Sequence, residues 1–174
     1  MFKRLIAQVL YWPTFALNVG LGRVLKVRRW WDQVDEHCIL GAVPLSGDPE
    51  KLKQLGVTGV VNMCEEYSGP VSEYQQLGIE QLWLPTTDFQ HPTREMIEQG
   101  AEFIERHKKA GGKVYVHCKA GRARSATIVL WWLVRFGGLT PQAAQTKLLE
   151  VRPHVLATVF RRAVIQELCQ EYGR

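Results

Sequence analysis

The chain has 174 residues, 46% of them hydrophobic and six of them Trp, enough apolar mass for one globular domain and too much for a disordered chain. Its formal charge of +5 points to an acidic partner. Lys3, Arg4, Arg23, Lys26, Arg28 and Arg29 all fall in the first 31 residues, which hold no Asp or Glu, so the remainder is close to neutral and no nucleic-acid partner is expected. Cys38, Cys64, Cys118 and Cys169 lack C-x-x-C spacing, and the start shows no secretory pattern. Reduced thiols are therefore expected, not a disulfide framework or a zinc site. His37, His91, His107, His117 and His154 are dispersed, and neither a metal nor a cofactor is expected.

Residues 1–29 read as a basic amphipathic segment. Phe2, Leu5, Ile6, Val9 and Leu10 fall at helical spacing, with Lys3, Arg4 and Gln8 on the other face, a pattern that suits a helix lying in a membrane interface. Residues 5–22 are uncharged and about long enough to span a bilayer. Gln8, Pro13, Asn18, Gly20 and Gly22 make that span a poor one, and Pro13 is expected to kink or end the helix near Trp12. A targeting segment and a terminal helix packed on the domain are the alternatives.

Residues 30–174 alternate short apolar runs with helical patterns. Strands are expected at 38–43, 57–63, 79–84 and 114–117, with Pro85 opening a loop. Helices are expected from Asp48, as cap, to Leu55, over 71–77, from the Thr93 cap to Gly111-Gly112, and over 124–136, 141–151 and 158–171. This order predicts an α/β fold with a central, mostly parallel sheet flanked by helices.

The stretch "VYVHCKAGRARS", residues 114–125, carries the chemistry. A parallel strand that opens into a loop and then a helix N-terminus is where α/β proteins bind anions, and the N–H groups of residues 119–124 can turn inward around one phosphate. Gly121 supplies freedom in the tight loop. Cys118, at its base, is placed to ionise at neutral pH and attack phosphorus. Arg124, six residues later, can clasp two equatorial oxygens, and the Ser125 hydroxyl is within reach of the thiolate. His117 is expected to hold the loop. Lys119 and Arg122 exceed what one phosphate needs and suggest a substrate with a second acidic group.

"HCKAGRARSAT" resembles the signature loop of the cysteine-based protein tyrosine and dual-specificity phosphatases, closest to the branch typified by the mitochondrial phosphatase of phosphatidylglycerophosphate. "LGAVPL", "GVTGVVNMCEEY", "LPTTDF", "VRPHVL" and the upstream "YWPT" are similar to that branch as well; Ala123 stands where a serine is common. The resemblance implies a phosphate cradle of His117, Lys119, Ala120, Gly121, Arg122 and Ala123, and a general acid at Asp88, about 30 residues before the nucleophile. An alkoxide leaving group needs such an acid in any case. For Glu65, Glu66 and Tyr67, substrate orientation, alignment of Arg124 and an ordinary solvated turn remain open.

The expected activity is hydrolysis of a phosphomonoester through a phosphocysteine, on an acidic phospholipid such as phosphatidylglycerophosphate or a phosphoinositide. The alternatives are a dual-specificity protein phosphatase and a non-catalytic phosphoinositide-binding module. A monomer held at a membrane surface by residues 1–29 is expected. That surface is the mitochondrial inner membrane in a eukaryote; a bacterial protein would be cytoplasmic or peripheral to the inner membrane.

Overall fold

Helix α1 (Phe2–Val19) and a π-helical turn, Gly20–Val24, open the chain in a computed structural model, which describes the backbone of residues 2–174 and the side chains of residue 9 and residues 11–174. Strands β1 (Trp31–Gln33) and β2 (Cys38–Gly41), helix α2 (Asp48–Gln54), strand β3 (Val57–Cys64), helix α3 (Val71–Gln76) and strand β4 (Glu80–Thr86) follow. Helix α4 (Arg94–Lys109), strand β5 (Lys113–His117) and helices α5 (Arg124–Arg135), α6 (Pro141–Val151) and α7 (Ala163–Glu171) complete the order.

One sheet runs β1-β2-β5-β3-β4, parallel throughout except for β1, which pairs antiparallel with β2 at the edge. Successive side chains of a strand face opposite sides, and both sides here are covered. Leu40, Val61 and Val116 enter the larger core with Ile97 and Ile104 of α4 and Ile128 and Trp131 of α5. Ile39, Val60 and Tyr115 enter the smaller one with Leu52 of α2 and Tyr74 of α3. Because β2, β3, β4 and β5 are parallel, the loops after Gly41, Cys64, Thr86 and His117 leave the same edge of the sheet.

Five local expectations are corrected. The first helix does not end near Trp12 but continues through Pro13 to Val19. Proline removes one backbone donor, and Val9, whose carbonyl loses it, lies on the exposed face with Pro13, while Tyr11 is buried and the Thr14 hydroxyl donates to the Tyr11 carbonyl at 3.1 Å. The amphipathic pattern at Phe2, Lys3, Arg4, Leu5, Ile6, Gln8 and Leu10 lies on side chains outside the described residues. Asp48 does not cap α2: Gly47, left-handed at φ 75°, is the cap, and the Asp48 carboxylate accepts the Leu45 N–H and pairs with Arg23. Pro85 lies inside β4, where an edge strand tolerates a missing donor. Strand β1 was not expected; three residues, "WDQ", are too few to show alternation. The last expected helix is two pieces, a 3-10 turn at Val159–Arg161 and α7, separated by Arg162 in an extended conformation.

Candidate active site

The loop between β5 and α5 is built by its carbonyl groups. Asn18 Nδ2 donates to the Lys119 carbonyl at 3.1 Å, and Arg152 donates to those of Ala120 at 3.0 Å and Gly121 at 2.9 Å. The Leu156 N–H binds the Arg122 carbonyl at 2.9 Å, and Thr127 binds the Ala123 carbonyl through its N–H and its hydroxyl. All these peptides are trans, and in a planar trans peptide the next N–H points opposite to the carbonyl. With five carbonyls held from behind, the N–H groups of residues 120–124 turn to the inside of the loop. Gly121 makes the turn possible: its φ is 65°, and a Cβ there would lie 2.5 Å from the Gly41 carbonyl oxygen.

Cys118 lies at the base of this ring. Burial pushes its thiol up, but the Arg124 charge, the Ser125 hydroxyl at 3.2 Å and the N–H groups of Ser125 and Arg122 outweigh burial and bring it down to about 6. Burial pushes the thiols of Cys38, Cys64 and Cys169 up instead. Alkylation of the native protein by iodoacetamide is therefore expected at Cys118 first, with a rate that rises with pH through a midpoint near 6. Ser125→Ala removes one donor to the thiolate and moves that midpoint upward; peptide mapping at pH 6 that finds Cys38, Cys64 or Cys169 labelled first would refute it.

Arg124 is buried above the ring and donates to the Thr86 carbonyl at 2.6 Å, to Glu66 Oε2 at 3.1 Å and to Asp88 Oδ1 at 3.0 Å. Glu66 also accepts the Asp88 N–H at 2.8 Å, so one carboxylate orients both the arginine and the loop that bears Asp88. Glu65 accepts the Thr87 hydroxyl on that same loop. Tyr67 is set apart: half-buried, it packs against the larger core, and its carbonyl accepts from Asn62 at 2.8 Å. His117 is fully buried, and burial and the Arg124 charge hold it neutral, down to about 3, so its place under the loop is that of a packed ring stacked on Tyr115. Lys119 pairs with Asp88 Oδ2, and Arg122 donates to the His154 carbonyl at 2.8 Å.

A thiolate at the base of a ring of amides with a guanidinium above it can receive a phosphoryl group, and a carboxyl group beside it, once protonated, can give its proton to what leaves. The family model for the dual specificity phosphatase catalytic domain matches residues 38–168. The chain belongs to that family. Among relatives of this phosphatase, the phosphatidylglycerophosphate phosphatase PTPMT1 of Arabidopsis thaliana is 42% identical over 164 residues, covering 92% of this chain and 49% of that protein. The chain thus spans about half the length of that relative. The phosphatidylglycerophosphatase and protein-tyrosine phosphatase 1 of Mus musculus is 34% identical over 175 residues, with 95% and 91% covered. The crystal structure of PTPMT1 in complex with PI(5)P matches with a TM-score of 0.76 at 30% identity, covering 83% of this chain and 97% of that one.

Several residues of the phosphatase site escape a reading of its sequence. A cavity of about 470 Å³ opens over Cys118, and its wall includes Thr14, Leu17, Asn18, Leu21 and Arg28 from the N-terminal segment. Thr14 accepts from Lys119 Nζ at 2.7 Å, and the same ammonium lies 5.2 Å from the Tyr11 ring and 5.3 Å from that of Phe89. Arg152, fully buried, ties the loop carbonyls to Asp32 at 2.6 Å. Arg162 lines the cavity as well. "YWPT" and "VRPHVL" were the signals within reach for Thr14 and Arg152; nothing local marks Asp32 or Arg162.

Proposed function

We propose that the protein hydrolyses phosphomonoesters through a phosphocysteine at Cys118, and that its substrate is an acidic phospholipid, phosphatidylglycerophosphate before a phosphoinositide. The observation that carries the chemistry is the placement of Cys118, with the Ser125 hydroxyl at 3.2 Å from its sulfur, at the base of a loop whose carbonyls are held from behind so that its amides turn inward. Against burial, the Arg124 charge and these donors bring the thiol down to about 6. The thiolate attacks phosphorus while the loop amides and Arg124 hold the equatorial oxygens. A phosphate there competes with Asp88 for Arg124; the displaced carboxylate takes up a proton from solvent as the phosphate binds and hands it to the departing alkoxide. A water molecule, deprotonated by Asp88, then attacks the phosphocysteine, and Ser125 stabilises the thiolate as it leaves.

The lipid assignment rests on the surroundings of the cavity and on the named activities of the relatives. On the cavity wall Phe89 is 64% exposed and Leu17 is exposed as well; Trp12, Val24, Leu25 and Val27 are exposed on the same N-terminal segment as Leu17, beside Lys26 and Arg28 in sequence. Phe89, on the cavity wall, has a left-handed backbone, φ 63°, which is rare for a bulky residue. Such a mixture of apolar and cationic side chains suits the surface of an anionic bilayer. No helix among the described residues is long and apolar enough to cross a membrane. The location that this exposed apolar and cationic surface supports is the membrane periphery, at the mitochondrial inner membrane in a eukaryote.

The test is phosphate release from phosphatidylglycerophosphate and phosphoinositides in vesicles, set against phosphotyrosine and phosphothreonine peptides. Preference for peptides makes the protein a protein phosphatase, and no release from any of them leaves a binding module. Deleting residues 1–29 would unseat Lys119 and is not a clean probe of the membrane. Trp12→Ser combined with Leu25→Ser changes exposed positions only. That variant is expected to lose most of its sedimentation with anionic vesicles, about 1 kcal/mol or more for each buried side chain; unchanged sedimentation would refute the membrane face.

A further inference from the structure

Five cations line the cavity over Cys118, and four have a visible circumstance. Lys119 pairs with Asp88, Arg124 with Asp88 and Glu66, Arg122 is exposed and bound to the His154 carbonyl, and Arg28 is half-exposed to solvent. Arg162 is different: it is buried, 8% exposed, and among the described residues no carboxylate lies within ion-pair distance of it. Its place is set by the break before α7, where its extended backbone (φ −61°, ψ 134°) turns the chain between the 3-10 turn and the helix. One nitrogen, Nη1, donates to the Thr127 hydroxyl, on the first turn of α5 and three residues from Arg124. Nε and Nη2 make no hydrogen bond within the described protein.

A buried guanidinium without a counterion is costly, so a site that retains one gains from an anion brought to it. Burial pushes Arg162 down, and the negative group that opposes this is the Cys118 thiolate, which the reaction consumes as soon as phosphorus is attacked. Two histidines feel these cations, His91 on the cavity wall and His154 behind Arg122. Burial and then the charge of Arg162 push His91 down, and burial with Arg152, Arg28, Arg122 and Arg29 push His154 to about 3.

We propose that Arg162, with Arg28 at the cavity wall, forms a second anion subsite that receives a phosphate-type group of the substrate other than the one attacked by Cys118. The inference rests on the phosphomonoesterase reading above and deepens it. It makes the enzyme selective for monoesters that carry a second phosphate group, such as the phosphodiester of a phospholipid monoester. Lys119 is held by Thr14 and Asp88 in the free enzyme, so the reading of the second group is assigned to Arg162.

The experiment uses the full chain and two soluble substrates, so that no bilayer intervenes. Glycerophosphoglycerophosphate carries a monoester and a phosphodiester; para-nitrophenyl phosphate carries the monoester alone. Arg162→Gln is expected to reduce kcat/KM on the first by about ten- to a hundredfold more than on the second, chiefly through KM, with Arg162→Lys recovering part of the loss. Thr127→Val removes the anchor but keeps the charge, and is expected to retain more of that discrimination than Arg162→Gln. Equal losses on both substrates, or no loss on either, would overturn the subsite. Calorimetry on Cys118→Ser supplies an arm that does not depend on turnover. Glycerophosphoglycerophosphate should bind more tightly than inorganic phosphate, and adding Arg162→Gln should erase most of the difference. Arg162-dependent binding in a protein that does not hydrolyse lipid would sustain the subsite and reject the proposed substrate. Lipid hydrolysis indifferent to Arg162 would do the reverse.

Discussion

Cys118→Ser is expected to lower phosphate release by about four orders of magnitude or more while leaving the phosphate site able to bind. A serine hydroxyl stays protonated where the Cys118 thiol, at about 6, is ionised, so the same five carbonyl anchors and the same inward amides surround a group that cannot attack. Removal of the thiolate charge also removes a repulsion toward the phosphate dianion, so affinity should hold or rise. Release of inorganic phosphate from an aryl phosphate, with calorimetric titration of phosphate in parallel, reads both effects. Activity within tenfold of the parent would place the nucleophile elsewhere.

The second large effect concerns a residue that never meets phosphate. Arg152→Met removes the donors to the Ala120 and Gly121 carbonyls and leaves Asp32 buried without its 2.6 Å partner, with only Arg29 Nε beside it. Breaking a buried pair from one side is expected to cost about 3–5 kcal/mol, a large part of a domain's stability. The freed peptides can then turn, so the inward N–H groups are lost with the outward carbonyls. Thermal unfolding and kcat/KM should both fall. Pairing Arg152→Met with Asp32→Leu removes both charges and should restore much of the melting temperature, but not the loop carbonyl contacts, so activity stays low. A single variant as stable and active as the parent, or a double variant that regains activity, would show that Arg152 does not hold the loop.

What could be read in the sequence is what neighbours in the chain decide. The proposed nucleophile, the loop amides and the guanidinium occupy residues 117–125, and the apolar runs at 38–41, 57–64 and 113–117 alternate with helices, so a parallel sheet with the loop at its edge follows from local pattern. Asp88 was reached through the family resemblance, and the loop after β4 brings it to the same edge of the sheet. The charges found their partners only in three dimensions. Lys119, read as a free cation for the substrate, is engaged by Asp88 and Thr14, and Glu66 rather than Tyr67 was brought to Arg124. Asp32 and Arg152 meet across 120 positions, and Pro13 sits within a helix whose buried Tyr11 faces the active-site loop. Local sequence sets backbone preference and chemical identity, but the choice among several possible ion pairs depends on which groups burial brings together and takes away from water. That choice is a property of the whole packed domain, and it is why the loop was legible and the residues that hold it were not.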